Sequence, residues 1–295
     1  MAANTAPLIA NVFGRKHTSL NGEWRTIVDP YENGYYDYRY QPSASNYGLN
    51  QKPQSISDRI EYDFDQSPTL KVPGDWNSQR LELSLYEGTV WYKTAFSAKR
   101  SPSERVFLNF GAANYEAIVY VNGKQLARHV GGFTAFDVEV TAALVDGENT
   151  LIVKVDDQRR RDGVPTVNTD WYNFGGLTRD VLRLTVPRTF IKDYFVQLEK
   201  GSLDTIAGWV LVDGPEAAGR AVNVRILELG VNLSLTTDAS GRASFRVRPK
   251  EHGAALELWS GEQPKRYAVE LSTGGDHVEE KIGFRSIVTR GADIL

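Results

Sequence analysis

Turn signals punctuate this chain at intervals too short for helices. Asn21-Gly22, Pro73-Gly74, Asn122-Gly123, Gly131-Gly132, Gly147-Glu148-Asn149, Asp213-Gly214-Pro215 and Asp238-Ala239-Ser240-Gly241 recur along it, each supplying residues that tolerate positive φ or fix a bend. Between them apolar and polar residues alternate, as with Val90, Tyr92 and Thr94 against Trp91, Lys93 and Ala95, the period of a strand with two unlike faces. Strands are expected around Trp24, up to Val72, from Tyr86 to Phe96, and over 105–110, 117–121, 125–129, 137–140, 150–155 and 180–186. Many short strands with almost no helical window give an all-β chain, beginning with a jelly-roll-like β-sandwich over residues 19–187. After Pro187-Arg188 the register restarts. Seven further strands (190–198, 206–212, 221–228, 232–236, 243–247, 256–259, 267–271) and a last one over 277–288 predict an immunoglobulin-like β-sandwich at 188–288. Residues 1–18 read as a loose lead-in and 289–295 as the start of a linker.

Composition narrows the chemistry. With 295 residues and 41% hydrophobic side chains the chain can bury two cores. A net charge of −3 and the lack of a basic run flanked by aromatics give no nucleic-acid partner. The densest basic cluster, Arg159-Arg160-Arg161, reads as a solvated turn. There are no cysteines, and the four histidines (His17, His129, His252, His277) have no ligand spacing, so neither a metal nor another cofactor is expected. No run of about 20 apolar residues suits a bilayer, so no membrane partner is expected. The N-terminus lacks a signal-peptide pattern, and no compartment is assigned from it.

The stretch Asn168–Arg183 gathers Asp170, Trp171, Tyr172, Asn173, Phe174 and the pair Gly175-Gly176 on a segment too irregular for a helix or a plain strand. Rings beside a short carboxylate suit a ligand with apolar faces and hydroxyl edges, such as a sugar. The same residues also suit a corner where the rings plug a sandwich and Asp170 caps a turn. Tyrosines crowd residues 31–47, within a long aperiodic excursion from Asp29 to Asp65. A tyrosine's apolar ring and polar tip serve packing or a contact between copies of the chain as well as a ligand.

No carboxylate pair stands out as the two groups a glycosidase needs across the scissile bond. Glu279 and Glu280 are adjacent on a strand and point to opposite faces, while Glu61 and Asp63 fit a solvated face. Gly-x-Ser-x-Gly and phosphate-binding glycine loops are missing. His129, before Gly131-Gly132, reads as a structural hydrogen-bonder rather than a group that orients substrate.

In order and spacing, a series of segments resembles the non-catalytic front half of glycoside hydrolase family 2, the family of β-galactosidases, β-glucuronidases and β-mannosidases. They are Leu20-Asn21-Gly22-Glu23-Trp24, Val72-Pro73-Gly74-Asp75-Trp76-Asn77-Ser78-Gln79, Tyr86-Glu87-Gly88-Thr89-Val90-Trp91-Tyr92, Val121-Asn122-Gly123, His129 to Phe136, Asp170 to Arg179, and Gly283-Phe284-Arg285. The pattern around His129 and Asp170 is most similar to the β-glucuronidase branch. The resemblance implies a jelly-roll sugar-binding domain and an immunoglobulin-like domain, followed in the family by a (β/α)₈ barrel carrying both catalytic glutamates. This chain alone is therefore expected not to hydrolyse glycosides, and its partner is a carbohydrate, a terminal β-linked sugar, met through the complete enzyme. The family's substrate-binding aspartate maps onto Asp170, with Trp171 and Asn173 as its companions; the rings of Trp171, Tyr172 and Phe174 are expected mainly to anchor the loop. A self-sufficient carbohydrate-binding module and a structural pair of sandwiches used for self-association are the rival readings.

Overall fold

The computed structural model describes residues 8–42 and 63–294. The chain divides into two compact units, one from His17 to Thr185 and the other from Val186 onward together with Leu8–Lys16. Among the described residues both are built of strands joined by turns and single 3-10 turns.

In the first unit β1 (His17–Ser19), β2 (Gly22–Val28), β3 (Thr69–Val72), β4 (Thr89–Ala98), β5 (Glu104–Phe110), β6 (Glu116–Val121), β7 (Lys124–Val130), β8 (Phe136–Glu139), β9 (Gly147–Asp156) and β10 (Val181–Pro187) form two sheets. Their orders are β3-β2-β4-β9-β6-β7 and β1-β10-β5-β8. The apolar alternation sends Trp24, Val90, Tyr92, Val119 and Val153 from the larger sheet against Leu108, Phe110, Phe136, Val138 and Val181 from the smaller. This is the jelly-roll-like sandwich. Its β6–β7 hairpin turns on Asn122 (φ 51°) and Gly123 (φ 78°), the left-handed pair that matches strand twist.

The larger sheet is covered on its second face too. Ile27, Trp91, Ile118, Tyr120 and Ile152 gather there with Tyr35 and Phe64, so all six residues of β6 are buried and its sequence runs apolar instead of alternating. Asp29 fixes the covering segment, accepting hydrogen bonds from the backbone of Asn33 and Gly34 and from the Trp91 indole at 2.9–3.0 Å. Lys154, buried on β9, pairs with Glu32 at 2.6 Å and lies over the Tyr35 ring. Part of the tyrosine-rich stretch is thus packing. Tyr31, Tyr38 and Tyr40 are exposed, and Tyr47 and Glu61 lie outside the described residues.

The second unit pairs β11 (Phe190–Leu198), β12 (Ile206–Asp213) and β15 (Arg242–Val247) in one sheet, and β13 (Ala221–Ile226), β14 (Val231–Thr236), β16 (Tyr267–Thr273) and β17 (Asp276–Ile282) in another. Val210, Val212, Val224, Phe245, Val269 and Val278 meet in its core. Three expectations are corrected here. Residues 256–259 form no strand; Trp259 instead bonds its N–H to the Phe284 carbonyl at 2.8 Å. The last long strand stops at Ile282 rather than running to Val288, because Phe284 turns in as a fully buried plug beside Tyr267. The lead-in is not loose throughout: Ile9 is buried, and Arg15 makes a buried ion pair with Asp276 at 3.1 Å and donates to the Ile191 carbonyl. That segment lacks any strand or helix period, so the sequence carried no signal of its packing.

Candidate functional site

The irregular segment between β9 and β10 is held firmly from behind. Gly175 donates to Asn77 Oδ1 at 3.0 Å, and its carbonyl accepts from the Trp76 N–H at 2.9 Å. The Gly176 carbonyl accepts from Asn114 N–H, and the Leu177 carbonyl from Gly74 N–H, both at 2.9 Å. The glycines are required sterically. A Cβ on Gly175 would fall on the buried Trp76 ring and 2.5 Å from Asp157 Oδ2, and Gly176 has φ of +140° with the Gly74 carbonyl 2.7 Å from where its Cβ would stand.

Asn173 belongs to this rear attachment. It is 5% exposed, donates to the Asp157 carbonyl and accepts from Asn114 Nδ2 at 2.9 Å, so its amide is engaged within the protein. The front is different. Trp171, Tyr172 and Phe174 are 62%, 63% and 49% exposed, which corrects the expectation that these rings anchor the loop. Tyr172 and Phe174 stack on each other at 5.7 Å, and no described residue makes a hydrogen bond or ion pair with the exposed carboxylate of Asp170. The loop therefore has two sides, with Asn173 and Gly175 buried at its rear and Trp171, Tyr172 and Phe174 facing outward.

Asp170, Trp171, Tyr172 and Asn173 line a cleft of about 210 Å³ with Asn77, Ser84, Leu85, Glu87 and Arg159. Arg159 is its keystone. Its Nε reaches both oxygens of Glu87 at 2.8 and 3.0 Å, while its terminal nitrogens donate to the carbonyls of Thr169 and Trp171. A planar guanidinium can satisfy four acceptors in this way, and an ammonium cannot. Both Glu87 oxygens are taken by Arg159, whereas the carboxylate of Asp170 has no hydrogen-bond or ion-pair partner among the described residues. Its surroundings, two exposed rings and hydrogen-bonding groups, suit a polyol with an apolar face.

Arg160, next in the chain, belongs to a separate charged cluster. Arg160 bonds Glu116 at 2.7 Å and Asp156 at 2.6 Å, and Arg128 takes the other side of Glu116. Burial opposes ionisation of Glu116, yet the hydrogen bonds from Arg128 and Arg160 prevail and hold its pKa below the ordinary carboxylate value. Two of the three consecutive arginines are thus structural, against the solvated turn expected of them. His129 is buried, stacks on Phe136 at 4.1 Å and bonds the Gly131 carbonyl and Thr134 hydroxyl. Burial lowers its pKa. Its ring supports the sandwich.

Sequence reasoning therefore reached the loop and missed what grips it. Asn77, Glu87, Asn114, Asp157 and Arg159 arrive from other segments; Asn77 and Glu87 lay inside quoted motifs, but nothing in their spacing revealed the partner each would take. Glu279 and Glu280 sit on β17 in the other unit, where Tyr194 donates to Glu280.

Comparison with known proteins identifies the family. Residues 18–187 match the model of the glycosyl hydrolases family 2 sugar binding domain. The chain belongs to glycoside hydrolase family 2. Within that family it is 27% identical over 312 aligned residues to a β-glucuronidase of Paenibacillus borealis, covering 95% of this chain and 47% of that protein. It is 29% identical to a β-galactosidase of Thermoanaerobacter pseudethanolicus, covering 81% of this chain and 34% of that one. The fold is shared with Bifidobacterium dentium β-glucuronidase complexed with coumarin-3-O-glucuronide, at a TM-score of 0.78, 23% identity, 99% of this chain and 51% of that one. The chain spans about half the length, or less, of the relatives it matches.

Proposed function

We propose that this family 2 chain supplies one wall of the sugar pocket of a retaining β-glycosidase, with Asp170 accepting hydroxyl hydrogen bonds from the terminal sugar and Trp171 lying against its ring. Asn173, the third predicted contact, acts through the loop: its amide seats the backbone from which Asp170 projects. The observation that carries this reading is the two-sided loop, attached at its rear by several hydrogen bonds and presenting at its front exposed rings and a carboxylate with no partner among the described residues. An unpaired carboxylate contributes nothing to the fold, whereas hydroxyl groups of a sugar would be good donors to it.

The relatives point to β-glucuronides and β-galactosides as the substrate class. Retaining hydrolysis needs a carboxyl pair about 5 to 5.5 Å apart, and Glu87 is committed to Arg159, so we assign the chemical step to groups outside this chain. The domain order behind this reading is a sugar-binding sandwich over 19–187, an immunoglobulin-like sandwich over 188–288 and a connection to a catalytic barrel from 289 on. Incubation with aryl β-glucuronide, β-galactoside and β-mannoside at high protein concentration should give no turnover; turnover abolished by substituting a residue of this chain would overturn the assignment.

The exposure of Trp171 and Tyr172 favours one rival, a module that binds carbohydrate unaided. Calorimetric titration separates the two: affinity near micromolar for an isolated glycan supports the module, and weak millimolar contact supports a wall that works with a second half.

A further inference from the structure

Asp157 lies directly under the loop and is unlike the other carboxylates around it. It is fully buried, its Oδ1 accepts one hydrogen bond from the Gly88 N–H at 2.7 Å, and among the described residues its Oδ2 has no partner. No ammonium or guanidinium among the described residues pairs with it: Arg159 is taken by Glu87, and Arg160 by Asp156 and Glu116. The groups that face it add negative charge or none. They are Glu87 and Tyr86 on the turn before β4, Asp156 at the end of β9, and Tyr92 on β4, which also feels Asp75.

The same residue touches the loop twice. Its carbonyl accepts from Asn173 Nδ2, and its unpartnered Oδ2 lies 2.5 Å from where a Cβ on Gly175 would stand. An ionised oxygen in that position would be a buried charge with neither donor nor counter-ion, a state proteins avoid by neutralising the group. A neutral acid places only a hydroxyl there, at a much smaller desolvation penalty.

We propose that Asp157 is the positioning residue of the Asp170 loop, seating it as a neutral carboxylic acid and loosening it when the proton is released to solvent. Once charged, Oδ2 needs donors, and the nearest source is water admitted by lifting Gly175 off Trp76. Burial, with Glu87 and Asp156 adding to it, pushes the carboxyl up to about 8, so the seat holds at neutral pH and below and weakens in mild alkali. The consequence for sugar binding rests on the role given to Asp170 above; the seat itself does not.

The test uses the whole chain carrying ¹³C-labelled aspartate and fluorotryptophan, followed by NMR from pH 5 to pH 10 beside Asp157→Asn. One aspartate carboxyl, missing from the variant, should titrate near pH 8, the Trp76 and Trp171 fluorine resonances should move with the same midpoint, and the variant's resonances should stay flat. An Asp157 carboxyl that titrates below pH 5, tryptophans that stay flat through its midpoint, or a variant whose loop titrates like the wild type would overturn the proposal. If Asp157→Asn does not fold, the wild-type carboxyl and tryptophan curves decide the matter between them. Asp170→Ala keeps the two readings apart, since it should abolish sugar contact and leave the Asp157 titration unchanged.

Discussion

Replacing Gly175 by alanine is the most demanding check of the loop's rear attachment. The added methyl would overlap the Trp76 ring, which is fully buried and tied by its indole N–H to the Tyr86 carbonyl at 3.2 Å. The loop cannot retreat without breaking the bonds from Gly175 N–H to Asn77 and from Trp76 N–H to the Gly175 carbonyl. Overpacking alone costs about 1–3 kcal/mol, and two buried hydrogen bonds add about 1 kcal/mol each, giving about 3–5 kcal/mol. At about 2–4 °C per kcal/mol for a unit of this size, the melting temperature should fall by about 6–20 °C. Differential scanning calorimetry reads the shift, with Gly261→Ala as control, since no atom lies within 4 Å of a Cβ there. A Gly175→Ala melting temperature within about 1 °C of wild type, the size of a harmless surface change, would refute the close approach and the loop seat built on it.

Other outcomes follow from the charged groups. Asp157 is raised to about 8 from an unfolded value of 3.8, so the folded chain holds an additional proton between those limits. Its contribution to stability is full below about pH 4, declines by about 1.4 kcal/mol per pH unit as pH rises, and is gone above about pH 8. Urea unfolding at pH 5, 6, 7 and 8 should show this slope in wild type relative to Asp157→Asn, and parallel curves would exclude it. Arg159→Lys should raise hydrogen exchange at 168–172 selectively, because one ammonium nitrogen cannot reproduce the four contacts that the guanidinium makes from three separate nitrogens; uniform protection would mean Arg159 does not hold the loop. Arg160→Met should destabilise by about 1–3 kcal/mol by leaving buried Asp156 without its cation, and chemical denaturation that shows no loss would place that pair among the neutral ones.

The fold was legible in sequence wherever alternation and turn chemistry agreed. Arg242–Val247, buried at every second residue, and the Asn122-Gly123 turn are examples. It was illegible where a residue's neighbour is distant. Phe284 looks like one more strand residue until Tyr267 and the core behind it are in place, and Arg15 offers no clue that Asp276 awaits it. The loop behaved in the same way. Its glycines announced a close approach, but nothing local said that Asn173 faces inward and Trp171 outward, because that depends on Asn114 and Asp157 arriving from other strands. Arg159 reads as a wet turn for the same reason: its acceptors, Glu87 and two loop carbonyls, come together only on folding.

The role of Asp170 at the sugar is the central claim, and ligand-observed and amide-shift NMR of the whole chain with a millimolar aryl β-glucuronide tests it most directly. Shift changes should be confined to Glu87, Arg159 and residues 170–174, and should be lost in Asp170→Ala with no change in melting temperature. Undiminished shifts in Asp170→Ala, or saturable binding that leaves those residues untouched, would contradict it.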